Sequence, residues 1–187
     1  MSYLYKNLEL INARKYFINS NKKWYELWNQ RNILNFTVSK IITPELSDRN
    51  RFSIAPENTY YGDTVCGIQI KDEYQNAIHL RYLLALLNSK LIEWFYKKTT
   101  VPKAGGFFIY KVMYLKNIPI QEISVSEQQT FINLVDKILS ITKDADYPDN
   151  SIKQTKVHDY ECQIDQMIYE LYGLTEEEIK IVENLNK

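Results

Sequence analysis

The sequence predicts an α+β domain: a mixed or antiparallel sheet around one buried central helix, with a helical C-terminal unit. Three observations carry this. Leu80, Leu83, Leu84, Leu87, Leu91, Trp94 and Phe95 recur at three- and four-residue steps, a stripe wide enough to demand burial. Runs of β-branched and aromatic residues punctuated by turn chemistry lie on both sides of that helix. Beyond Ile120 the pattern becomes helical only. The order is helix, several strands, buried helix, strand, three helices.

Taken in order, residues 1–18 read as a helix, with Leu4, Leu8, Ile11 and Ile18 near one face. A polar loop, Asn19–Lys23, leads to Lys23-Trp24-Tyr25-Glu26-Leu27-Trp28, where aromatics alternate with charge. The plainest reading of the tryptophans is cover for the edge of a core. Phe36 to Thr43 reads as a strand ended by Pro44, and Phe52 to Ala55 as a second. Tyr60-Tyr61-Gly62-Asp63 is a turn, and Val65 to Ile70 alternates with Cys66, Ile68 and Ile70 inward. His79 stands where a helix cap belongs. Asn88-Ser89-Lys90 interrupts the apolar stripe, and such short polar side chains within a helix usually hold a specific hydrogen-bond partner. Phe107 to Tyr114 reads as a strand with Phe108, Tyr110, Val112 and Tyr114 on one face. Ser126-Glu127-Gln128-Gln129 has the form of a capping box, 142–157 that of a polar linker. A helix through Tyr160, Ile164, Met167, Ile168 and Leu171 ends at Gly173, and Thr175-Glu176-Glu177-Glu178 caps the last one. Natural divisions fall at 1–35, 36–123 and 124–187.

The chain has 187 residues and a formal net charge of zero, which at first argues against a polyanionic partner. The distribution argues otherwise. Residues 1–111 hold 16 Lys+Arg against 9 Asp+Glu, and 112–187 hold 7 against 14. The neutral total hides a basic front and an acidic tail, an asymmetry that keeps a polyanionic partner open, although acidic tails also arise by chance. Fifteen tyrosines suit surfaces that stack and exclude water. Cys66 and Cys162 lack metal spacing and read as free thiols. No apolar run is long enough for a membrane and no signal-peptide core is visible, which points to the cytoplasm.

Two stretches invite a ligand. The loop Lys97-Lys98-Thr99-Thr100-Val101-Pro102-Lys103-Ala104-Gly105-Gly106 is basic, rich in hydroxyls and contains glycine, which suits approach to phosphates and base edges. Arg49 and Arg51 lie two apart in a turn-rich segment. They could grip phosphate or read guanine, or equally pair with Glu45, Asp48 or Glu57 as solvated surface. Catalytic machinery is sparse: no Gly-x-Gly-x-x-Gly or phosphate-binding P-loop, no Asn/Asp-Pro-Pro-Tyr/Phe, and two histidines, His79 and His158, far apart. A nuclease-like reading would need Asp149 and Glu178 on adjacent strands, but one falls in a linker and the other in a helix.

Four segments, in order, resemble a known family: Lys23 to Trp28; Lys40-Ile41-Ile42-Thr43-Pro44-Glu45 with Arg49-Asn50-Arg51-Phe52; Leu83 to Leu91 with Gly105-Gly106 and Ile118-Pro119-Ile120; and Tyr169 to Ile179. Together they are similar to the TaqI-like C-terminal specificity domain of DNA adenine-N6 methyltransferases and type II and IIG restriction-modification enzymes. That resemblance implies double-stranded DNA as partner. It also implies a methyltransferase domain, in cis or as a separate subunit, that carries the S-adenosylmethionine, so that this chain has no cofactor of its own. The DNA face is then expected at Lys40, Arg49, Arg51, Tyr60, Tyr61, Lys98, Thr99, Thr100, Lys103 and Lys111, on loops and strand ends of the basic part. The acidic helices should face away from DNA. A protein-interaction module that never touches DNA is the other reading, and it lets the cations scatter.

Overall fold

A computed structural model describes residues 5–13, 18, 20–23, 26 and 32–184. The chain divides into two compact units, Met1–Asn35 and Phe36–Lys187. In the first, α1 (Leu8–Asn12) buries none of its residues. Of the aromatic segment expected at Lys23–Trp28 only Lys23 and Glu26 are described, and part of the expected N-terminal helix lies outside the described residues.

A single helical turn, α2 (Leu34–Thr37), precedes the first strand. Strand β1 (Lys40–Pro44) is the middle of a three-stranded antiparallel sheet, between β3 (Ser53–Ala55) and β4 (Val65–Ile68). Ile41 pairs with Ile54 on one side and Ile68 on the other, and is fully buried. After Glu45 the chain continues as β2 (Leu46–Ser47), which pairs antiparallel with β5 (Phe108–Ile109) in a separate two-stranded ribbon. The expected sheet is therefore two small ones.

The expected central helix is two helices, α3 (Leu80–Asn88) and α4 (Lys90–Thr99). His79 caps the first, its Nδ1 accepting from the Arg81 N–H. Ser89 breaks the run. Its backbone is extended, its hydroxyl donates to the Leu86 carbonyl, and its Oγ accepts from the Ile92 N–H as the N-cap of α4. A buried carboxylate from a distant helix, Asp165, accepts the Lys90 N–H at 2.9 Å and completes the junction. The apolar stripe ignores this break because Leu83, Leu84, Leu86, Leu87, Leu91 and Ile92 all enter one core.

The C-terminal part consists of α5 (Val112–Leu115), α6 (Val125–Thr142), α7 (Ser151–Leu171) and α8 (Glu176–Glu183). Helix α6 lies on α3, with the Tyr82 and Phe131 rings edge to face at 5.3 Å. Gln128 of α6 is wholly buried yet satisfied: it accepts from His79 N–H and donates to the Ala77 and Ile123 carbonyls. Gly173, at φ +68°, ends α7 in the left-handed conformation that glycine adopts without strain.

Several expectations need correction. Phe36 is helical, not the start of a strand, because the ordered strand begins at Lys40. The strand expected over Phe107–Tyr114 is only Phe108–Ile109; Val112 and Met113 then turn outward on a short helix, since no partner strand continues beyond Leu46. The capping box of α6 is Ser124 with Glu127, two residues before the one expected. The polar linker is shorter than 142–157, as Asn150 caps a helix that starts at Ser151. Tyrosine is also more than a surface residue here. Tyr82, Tyr96, Tyr110 and Tyr169 are fully buried, and the first two donate to the Gln121 and Ile109 carbonyls at 2.6 Å. A buried ring thus gains both apolar contact and a backbone anchor.

Candidate nucleic-acid interface

The β2–β5 ribbon organises the basic loops. Ser47 lies opposite Phe108, and Pro102 forms a bridge to the other edge of Phe108. Between Pro102 and Phe108 the chain folds back as a hairpin, closed by the Lys103 N–H donating to the Phe107 carbonyl at 2.7 Å. Gly105 and Gly106 sit at φ +77° and +78°, so the two glycines serve the reversal itself. The register sends the turn after Ser47 and this glycine hairpin out of the same end of the ribbon. The segment leaving for Arg49 and the hairpin carrying Lys103 thus start from one end of the ribbon, and by Asn50 the chain has turned back to the Tyr110 hydroxyl. Lys111, paired with Glu45 at 2.8 Å, lies at the other end, and its pKa is held up chiefly by that hydrogen bond. The C-terminus of α4, with Lys98, Thr99 and Thr100, enters the ribbon from that same far end.

The turn carrying the arginines is held firmly. Asn50, between them, is buried. Its N–H donates to Glu93 Oε2, its Nδ2 to the Leu87 carbonyl at 2.6 Å, and its Oδ1 accepts from the Tyr110 hydroxyl at 2.8 Å. One residue further, the Asn88 amide donates to the Phe52 carbonyl and accepts from its N–H. Five hydrogen bonds to α3, α4 and the end of β5 therefore fix the backbone on which two exposed arginines stand. Arg51 Nε and Nη2 both donate to Asp48 Oδ1, at 3.2 and 3.0 Å, and this bond holds the Asp48 carboxyl below its ordinary range. Arg49 forms no ion pair or hydrogen bond among the described residues, nor do the side chains of Lys98 and Lys103. Both arginines also border a groove of about 510 Å³ floored by Leu84, Val135 and Ile164.

The remaining candidates lie elsewhere. Lys40 is fully buried, with its ammonium donating to the carbonyls of Phe36, Pro56 and Thr59 at 3.1–3.4 Å, so it faces the interior and not a phosphate. Thr100 is buried, and the Thr99 hydroxyl turns back on the Phe95 carbonyl. Tyr60 is exposed but stacks on Phe36 at 5.0 Å, at the Lys40 end of β1, roughly 20 Å along the chain from the ribbon. Tyr61 lies over Gly67, whose missing Cβ leaves room for its hydroxyl. Asn50, Asn88 and Glu93, which hold the arginine turn, were missing from the expected site. The polar break at Asn88 in an apolar stripe was their one visible signal.

Among the described residues no cluster of three or more His, Cys, Asp or Glu side chains could hold a metal ion. Glu178 is engaged in the capping box with Thr175. No described helix is long and apolar enough to cross a membrane.

Comparison with known proteins supports the resemblance for the first three of its four segments. Over 140 residues the chain is 25% identical to the type II methyltransferase M.BanIII of Aneurinibacillus aneurinilyticus, in an alignment covering 74% of this chain. The match takes in only 24% of that protein, so the chain spans about a quarter of its relative's length. The family model of the TaqI-like C-terminal specificity domain matches residues 3–120, which takes in both sheets, α3, α4 and the glycine hairpin, and the chain belongs to that family.

Proposed function

We propose that this chain is the DNA target-recognition part of a restriction-modification enzyme. Its catalytic partner would be an adenine-N6 methyltransferase domain, joined in cis or as a separate subunit and fused in type IIG fashion to a nuclease in some assemblies. The observation that supports the reading is that two loops leave one end of the ribbon: the clamped turn that begins with Arg49 and the glycine hairpin with Lys103. A rigid backbone presenting cations beside a small, closely approachable loop is what reading a duplex requires. Arg49 and Lys103, unpaired among the described residues, are the phosphate contacts at that end; Lys98 adds one from the other end, and Lys111 joins it if it leaves Glu45. Tyr60 and Tyr61 would form a second, outlying contact. Lys40, Thr99 and Thr100 support the surface without touching DNA.

S-adenosylmethionine belongs to the catalytic domain in this reading. Gly105 and Gly106 close a helix-to-strand hairpin, not the strand-to-helix turn that cradles such a cofactor, so this glycine pair is not a site for it. The setting is the cytoplasm, where chromosomal DNA is.

The test is fluorescence anisotropy with a random-sequence duplex pool at low and then physiological salt. The expected result is binding that weakens steeply with salt and is lost in an Arg49, Lys98 and Lys103 triple alanine variant. Absence of binding, even with the methyltransferase domain supplied, would favour a protein-interaction module instead.

A further inference from the structure

We infer that Arg51 is a base-reading residue for guanine in the major groove, with Asp48 as its positioning residue; this rests on the recognition role proposed above. A guanidinium has five N–H donors in a planar fork. Asp48 Oδ1 takes the Nε donor and one donor of Nη2. The adjoining end-on edge is left with one donor on Nη1 and one on Nη2, side by side and free of the carboxylate. Two parallel donors match the O6 and N7 acceptors that only guanine presents together in the major groove. The two arginines therefore divide the work. Arg49 keeps its freedom, which suits a phosphate. Arg51 is held in one orientation, which suits a base edge.

The backbone supports the same division. A reading side chain needs its root fixed, and Arg51 lies between Asn50 and Phe52, whose main chain or side chain is bonded to Glu93, Leu87, Tyr110 and Asn88. The exposed Asp48–Arg51 pair adds little stability in water, so its orienting effect is the property with a use. Asp48 would also repel phosphate, which keeps Arg51 off the backbone and on the base.

The experiment selects duplexes from a random pool with the full chain and its methyltransferase domain, then measures affinity for the selected site and for an unrelated duplex. Wild type is expected to enrich a site holding at least one fixed guanine. Arg51→Lys, which keeps the charge but loses the two-donor edge, should lower affinity for that site about 5- to 150-fold and leave the unrelated duplex and the salt slope unchanged. Replacing that guanine by 7-deazaguanine should weaken wild type to a similar degree and leave Arg51→Lys indifferent. Asp48→Asn should flatten the preference at the same position and Asp48→Glu should restore part of it. Equal loss on both duplexes in Arg51→Ala, with a shallower salt slope, would make Arg51 a phosphate contact and overturn the inference while the recognition role stands. Failure of wild type to enrich any sequence would overturn the recognition role, and the inference with it.

Discussion

The side-chain amide of Asn88 meets the backbone of Phe52 as a neighbouring strand would, donating to its carbonyl at 2.9 Å and accepting from its N–H at 3.0 Å. A residue at the end of a buried helix thereby completes the edge of a loop 36 positions away. The helix carries the core; its last side chain holds the arginine turn. In this way the packing of α3 reaches the surface proposed for recognition.

Asn88→Ala leaves both Phe52 backbone groups without these partners, and is expected to cost about 2 kcal/mol of stability in urea denaturation. Asn88→Asp should not rescue it, since a carboxylate accepts from the Phe52 N–H but faces its carbonyl with a second acceptor. Faster amide exchange across residues 49–53 in Asn88→Ala would show the turn loosened.

Lys40 makes the opposite prediction from an exposed lysine. Lys40→Met strips three carbonyls of their donor, and should lower stability by about 2–4 kcal/mol, measured by thermal or urea unfolding. The salt dependence of duplex binding should not change, because no phosphate contact is removed.

Asp165 gives the fold a pH dependence. Burial first, then the nearby Glu161 and Glu183 carboxylates, push its pKa up to about 6 against an ordinary 3.8, although the Lys90 N–H and ammonium oppose the rise. The folded chain therefore keeps this proton over a range where the unfolded chain has lost it. The stability it contributes is full below the unfolded value and is lost as pH rises through about 6. Relative to Asp165→Asn, wild type should lose on the order of 2 kcal/mol between pH 4 and 7. Parallel pH profiles for the two proteins would show that Asp165 is not the titrating group.

Much of the fold was legible because it rests on periodicity. The stripe from Leu80 to Phe95 specified a buried helix, and Thr175 with Glu178 specified a cap. What escaped depended on partners far along the chain. Nothing near Ser89 announces that Asp165, 75 residues later, stabilises a break there. Phe107–Tyr114 has strand composition throughout, but a strand is only as long as its partner, and β2 offers two residues. Lys40 carries the same charge as any surface lysine; its burial follows from the Pro56–Thr59 loop closing over it. Of the candidate site, the loops were legible through their Arg, Lys and Gly content. Their relative placement came from the β2–β5 register, which short strands do not advertise.

The most direct test of the account is the slope of log affinity against log salt concentration for a duplex, measured for wild type and for Arg49→Ala, Lys103→Ala and Lys40→Met. Each phosphate contact contributes about 0.9 to that slope. The account predicts that Arg49→Ala and Lys103→Ala each make it shallower by about 1, and that Lys40→Met leaves it as in wild type. Slopes unmoved by Arg49→Ala and Lys103→Ala, in a protein that still binds DNA, would contradict the placement of the duplex at this end of the ribbon.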